Sequence, residues 1–169
     1  MPASPIVLRA PRVADQALFL KSARASRVLH APWVSAPVTP AQYRAYLEKM
    51  AQPQNHGFLL WLRGGEELAG VINLTQVVMG PLRSGYLGYY AFAGYAGRGL
   101  MRAGLAAVAT RAFGKLGLHR LEANIQPGNA ASIALVRACG FSREGYSPRY
   151  LKVGGRWRDH ERWALLADA

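Results

Sequence analysis

Three glycines, Gly94, Gly97 and Gly99, stand where a Tyr-rich run (Tyr86, Tyr89, Tyr90, Phe92) gives way to a helical pattern. Glycine lets the backbone come close to a ligand, and the first amides of a helix have no internal acceptors and a favourable dipole. A strand, a glycine turn and a helix in that order therefore predict an anion site, and a phosphate-bearing ligand is the first to test. Asn129 and Ser132 open a later apolar helical stretch, where both residue types also serve as ordinary caps.

Two common phosphate loops are excluded by spacing. A Walker loop needs Lys followed by Ser or Thr after its second glycine, and no such pair follows here. A dinucleotide fingerprint counted from Gly97 and Gly99 would need a third glycine where Arg102 stands. What remains is a turn that presents amides to a pyrophosphate by another arrangement.

The elements that must carry these residues can be read from periodicity. Residues 6–9 form a short strand, and 14–29 a first helix with Leu18, Leu20, Ala23 and Val28 at helical spacing. The following stretch to Pro40 carries three prolines and is irregular, with His30 and Trp33 at its start. Thr39 and Pro40 are an N-cap and first residue for a second helix to about residue 51. Strands over 58–62 and 68–78 turn at Gly64-Gly65, and the Tyr-rich strand follows. A long helix to about residue 116 is capped by Gly117, then come a strand over 121–125, a short helix over 130–138, and two strands turned at Gly154-Gly155. Residues 1–169 thus read as one mixed α/β domain without linker or repeat.

Composition sets the outer limits. A hydrophobic fraction of 51% over 169 residues suffices for one core. No apolar run approaches a membrane span, and the N-terminal stretch lacks the order of a signal peptide, so a cytoplasmic protein is expected. The single Cys139 forms no internal disulfide and no cysteine zinc site, and it is expected to be a small buried residue; no metal is expected. Of 21 basic residues 17 are Arg, and the net charge is +12. These charges are scattered, which argues against a nucleic-acid arm but suits phosphates, carboxylates and polyanions such as ribosomes.

The order of elements resembles the GCN5-related N-acetyltransferase superfamily. Gly97-Arg98-Gly99 takes the place of its pyrophosphate loop, although Gly94 stands where that loop commonly begins with Arg or Gln. Leu118-His119-Arg120-Leu121-Glu122-Ala123, then Pro127-Gly128-Asn129-Ala130-Ala131-Ser132 and Gly140-Phe141, resemble its ribosomal-protein N-terminal acetyltransferase branch. Glu144-Gly145-Tyr146, Tyr150-Leu151 and Trp157-Arg158-Asp159-His160 resemble more narrowly the ribosomal-protein-alanine acetyltransferases.

The resemblance implies an α+β fold with a mostly antiparallel, splayed sheet flanked by helices, and acetyl transfer from acetyl-CoA to an amine. Ala91, Phe92 and Ala93 would then offer backbone bonds to the pantetheine arm. Amides of Tyr95, Gly97, Arg98, Gly99, Leu100 and Met101 would hold the pyrophosphate, with Arg137 near the nucleotide phosphate. Ser132 would be the general acid for the departing thiolate, with Asn129 beside it on the cofactor. Trp33 and Tyr86 would face the acceptor. Alternation puts Tyr86 and Tyr90 on one face and Tyr89 on the other. Residues 158–161 suggest an ion-pair network, with His160 in it.

Relatives often carry carboxylate bases where this chain has Tyr86 and Arg149. A peptide α-amine has a pKa of about 8 and a lysine about 10.4, so about a tenth of the former is already free at neutral pH. A protein N-terminal α-amine is therefore the expected acceptor, with a water relay for its proton and Glu122, Glu144 or His30 as alternative bases. A small amine (polyamine, amino acid or antibiotic) and a non-catalytic, ribosome-associated CoA-binding module are the competing readings. The chain is expected to be a monomer or a homodimer joined through its last strands.

Overall fold

The computed structural model describes residues 3–168. Seven strands make one sheet: β1 (Ile6–Arg9), β2 (His56–Leu62), β3 (Leu68–Val78), β4 (Ser84–Ala91), β5 (Arg120–Ile125), β6 (Ser142–Val153) and β7 (Arg156–Leu166). Their spatial order is β1-β2-β3-β4-β5-β7-β6. Every pairing is antiparallel except β4 with β5, which are parallel and joined through the helix α4 (Leu100–Gly114). α1 (Gln16–Ala25), α2 (Arg27–His30), α3 (Pro40–Met50) and α5 (Ala130–Ala138) complete the chain.

Two cores lie on opposite faces of the sheet. On one, α4 and α5 pack over Leu60, Ile72, Leu121 and Trp163. On the other, Phe19, Tyr43 and Tyr46 of α1 and α3 pack over Leu59, Trp61 and Val71. Covering both faces explains why β2 is a nearly continuous apolar run and not an alternating one. Fully burying each Leu of such a strand is worth about 1.5–3 kcal/mol. α4 lies especially close, because a Cβ on Gly104 would collide with Leu60 and stand 3.0 Å from Ile72 Cδ1.

Local signals explain most boundaries. Thr39 Oγ1 accepts from Gln42 N at 3.2 Å and Gln42 Oε1 accepts from Thr39 N at 3.2 Å, a reciprocal cap that starts α3. Gly117 has φ +68° and ends the α4 region. The expected helix over 14–29 is corrected: a 3-10 turn (Val13–Asp15) precedes α1, and the helix breaks at Ser26 before α2. The Ser26 hydroxyl donates to Ser22 O at 2.7 Å and accepts from Ala93 N at 2.8 Å, so it holds the turn after β4 as well as its own helix.

Two features of the sheet position the site. β4 and β5 pair only as far as Leu87 and Ala123, and residues 88–91 and 124–125 then run on unpaired with each other. The strands therefore splay into a slot. The second feature is asymmetric cover: on their face α1 and α3 pack over β2 and β3 and His30 of α2 packs on Tyr90 of β4, while among the described residues this cluster includes none of β5, β6 or β7.

Candidate active site

A cavity of about 400 Å³ opens at the splayed ends of β4 and β5. Tyr89, Tyr90 and Ala91 bring β4 to its wall, Asn129, Ser132 and Leu135 bring α5, and His30 and Trp33 bring α2 and the segment after it. Gly97, Gly99, Leu100, Met101 and Tyr95 close the end at the start of α4. Of the expected site residues, Phe92, Ala93, Arg98, Arg137 and Tyr86 do not line it.

At the glycine turn, Gly94, Gly97 and Gly99 take φ of +88°, +73° and +74°, and nothing lies within 4 Å of where a Cβ would stand on any of them. Gly99 is the N-cap of α4 and supplies no side chain to its first amides. Arg98 curls back so that its guanidinium donates to Gly94 O at 3.3 Å and lies 5.6 Å from the Tyr95 ring. Uncapped amides, open space and an adjacent cation fit a pyrophosphate.

Along the slot, the backbone expectation for residues 91–93 needs correcting. Phe92 N donates to Ala69 O at 2.9 Å, Ala93 N to the Ser26 hydroxyl, and the Ala91 carbonyl accepts from His30 Nε2 at 2.8 Å. Since Phe92 bonds to β3, alternation turns the peptide groups of Ala91 and Tyr89 toward the slot. The Ala91 amide and Tyr89 carbonyl are thus the groups left for a ligand that runs along it.

The chemical centre is a pair of hydroxyls. Tyr89 and Ser132 bring their oxygens to 2.7 Å across the slot. Asn129, the N-cap of α5, accepts from Ser132 N at 3.2 Å, so it fixes the backbone beneath that hydroxyl. Burial pushes the Tyr89 phenol up to about 12, against a smaller opposite effect of its bond to Ser132. The phenol therefore stays protonated at neutral pH and can donate to Ser132 Oγ. Ser132 is then free to aim its own proton at a ligand in the cavity. Sequence alternation separates Tyr89 from Tyr86 and Tyr90, but nothing in it names Ser132 as the partner.

His30 is buried between Tyr90, 4.9 Å away, and Phe92, 6.0 Å away. A carbonyl only accepts, so His30 Nε2 must donate to Ala91 O, and in the neutral ring the lone pair is on Nδ1. The two other base candidates are occupied. Arg120 bonds Glu122 at 2.7 Å and grips Glu144 as well, and this bond holds the Glu144 carboxyl below its usual range.

Of the remaining expected residues, Trp33 lines the cavity and the others stand away from it. Trp33 lies against the turn before Asn129, its ring 3.2 Å from where a Cβ on Gly128 would stand. Tyr86 points to the face opposite α4 and α5, where burial, and then a bond to Tyr150, raise its phenol. Arg137 stacks over Trp163 at 5.2 Å. The ion-pair network over 158–161 is corrected: these residues alternate between faces. Asp159 accepts from Tyr146 OH and Arg149 N, and Glu161 pairs with Arg143 at 3.4 Å. Cys139 is half-buried and ends α5. Among the described residues no cluster of three or more His, Cys, Asp or Glu could hold a metal, and no helix is long and apolar enough to cross a membrane.

A glycine turn for pyrophosphate, a slot between splayed parallel strands and a hydroxyl at its centre together fit coenzyme A and its thioester. Comparison with known proteins agrees. The family described as acetyltransferase (GNAT) domain matches residues 6–142. A probable N-acetyltransferase of Bacillus subtilis, YjcK, is 31% identical over 121 residues, 72% of this chain and 67% of that protein. The [ribosomal protein uS5]-alanine N-acetyltransferase of Escherichia coli is 39% identical over 100 residues, 59% of this chain; the match spans only about half of that relative, 52%. Among solved structures, Mycobacterium smegmatis RimJ in complex with CoA-disulfide superposes with a TM-score of 0.88 at 29% identity, covering 96% of this chain and 82% of that one. With its slot, its glycine turn and these relatives, the chain belongs to the GNAT family of acetyl-CoA-dependent N-acetyltransferases.

Proposed function

We propose that the chain acetylates the α-amine of a protein or peptide N-terminus, with a ribosomal protein as the acceptor. The observation that carries this reading is the capture of both Glu122 and Glu144 by Arg120. The one imidazole or carboxylate among the residues lining the cavity is His30. A site so poor in bases suits an amine that loses its proton readily, and an α-amine with a pKa of about 8 does so far better than a lysine at about 10.4.

Acetyl-CoA supplies an activated acyl group on sulfur. The glycine turn and the first amides of α4 hold its pyrophosphate, and the Ala91 amide orients the pantetheine. The neutral α-amine attacks the thioester carbonyl, the carbon–sulfur bond breaks, and Ser132 gives its proton to the departing sulfur. Tyr89 donates to the seryl oxygen as charge builds on it, which restrains both the position and the direction of the acid. The proton lost by the amine leaves through water, with His30 Nδ1 as an acceptor on the wall, and water returns a proton to the Ser132 oxygen. The net charge of +12 adds long-range attraction to a ribosomal surface.

Mass spectrometry of ribosomal proteins and of a small-amine panel, each incubated with acetyl-CoA with and without the protein, tests the reading. One acetyl group on the N-terminal residue of a ribosomal protein is the expected result. Acetylation confined to the small amines overturns it.

A further inference from the structure

On the face of the sheet opposite α4 and α5, His30 covers Tyr90 and Tyr150 covers His160, and Gly88 lies open between them. Gly88 is exposed there although β4 is the middle strand of seven, and nothing lies within 4 Å of where its Cβ would stand. Tyr90, two residues on and on the same face, lines the cavity, so the hollow above Gly88 runs to the mouth of the slot.

Alternation along the strands identifies its floor. Leu121, Ala123 and Trp163 point into the core under α4 and α5, so Glu122 and Asn124 of β5 and Arg158, His160 and Arg162 of β7 point the other way. Asn124 stands directly opposite Arg162. Three polar atoms of this floor are buried without a hydrogen-bond partner: Asn124 Oδ1, Arg158 Nε and Arg162 Nε. They are one acceptor and two donors. The carboxylates on the same side, Glu122 and Glu144, are already held by Arg120.

We infer that this hollow takes an acceptor whose amine is followed by carbonyl groups, an extended peptide N-terminus, in preference to a polyamine. The inference rests on the α-amine reading above and names what recognises that acceptor. An N–H of the acceptor satisfies Asn124, and its carbonyls satisfy the guanidiniums of Arg162 and Arg158. The two arginines are four residues apart on one strand, roughly 13 Å, the span of about four extended residues. A polyamine offers only ammonium groups on methylene stems. It brings no acceptor to either guanidinium and finds no carboxylate without an Arg partner, so the floor discriminates against it by unpaired groups and like charge.

The test is calorimetry on the CoA-saturated protein with three probes: a tetrapeptide amide that begins with alanine, alaninamide and spermidine. Each is also assayed for acetyl transfer. The wild type is expected to bind the tetrapeptide at least about tenfold more tightly than spermidine. Arg162→Gln should weaken both alanine probes about tenfold or more, and Arg158→Gln should weaken the tetrapeptide alone, with CoA affinity kept in both. Arg162 also lies against Gly145, where a Cβ would collide with its guanidinium. Should Arg162→Gln fail to fold, the Arg158→Gln comparison decides alone. Peptide acetylation with binding unaltered in the variants overturns the inference and leaves the α-amine reading standing. Preferred binding and acetylation of spermidine overturns both. Arginine-dependent peptide binding without product upholds the inference and removes the α-amine activity.

Discussion

Tyr89 on the central strand and Ser132 on the first turn of α5 share a hydrogen bond of 2.7 Å across the slot between β4 and β5. The bond joins the two walls of the cavity. Asn129 secures the serine from below through its backbone amide.

If Ser132 is the acid and Tyr89 acts through it, Ser132→Ala should lower kcat by about 10²-fold or more and Tyr89→Phe by about tenfold. Neither should alter CoA affinity much. The double variant should be scarcely worse than Ser132→Ala, because the two residues act as one unit. Steady-state kinetics with calorimetry of CoA check this; additive losses would show that Tyr89 works independently.

The pH profile of kcat/KM should rise toward the α-amine pKa of about 8 and then level off. Since burial holds the Tyr89 phenol at about 12, its ionisation should produce no descending limb below about pH 10. In Tyr89→Phe the plateau should fall while the ascending limb stays in place. A descending limb near neutrality that the variant abolishes would contradict this.

At the phosphate turn, Gly97 combines φ +73° with open space. Gly97→Glu puts a negative charge where phosphate oxygens belong and forces an L side chain into a left-handed conformation, at about 1–2 kcal/mol. CoA affinity should fall by about 10²-fold or more, with only a small drop in thermal midpoint. Unchanged affinity would move the phosphate site elsewhere.

Gly104 tests the packing of α4. Valine there must push aside Leu60 and Ile72, and overpacking of this kind typically costs about 1–3 kcal/mol, partly offset by replacing glycine inside a helix. A lower urea midpoint with CoA binding retained is expected for Gly104→Val; a gain in stability would show a looser core than the geometry implies.

Burial, and then the charge of Arg111, lower the His56 pKa from its ordinary 6.5. The unfolded chain therefore binds a proton at pH values where folded His56 stays neutral. Its contribution to stability is complete above about pH 6.5 and is lost as pH falls toward the lowered folded value. Thermal midpoints of the wild type and His56→Gln between pH 5 and 8 should converge with falling pH; parallel curves would remove this role for His56.

What the sequence determined by itself was local. Periods of 3.6 and 2, a Thr-Pro cap and glycine turns placed α3, α5, the strands and the glycine turn before α4 within a residue or two of where they stand, because each depends on near neighbours. The resemblance carried by residues 97–99 and 118–132 pointed to the family for the same reason. The helix over 14–29 breaks at Ser26, whose hydroxyl also accepts from Ala93 N, 67 positions away, a contact no local pattern shows. Tertiary structure alone decided which groups meet. It set Tyr89 against Ser132, engaged the Ala91 carbonyl with His30, gave Glu122 and Glu144 to Arg120, and left Gly88 exposed on the middle strand. These are contacts between segments far apart in the chain, fixed by the order in which strands pair and by which face each helix covers. No local pattern encodes them, because the same short motif reads alike whatever the fold brings against it.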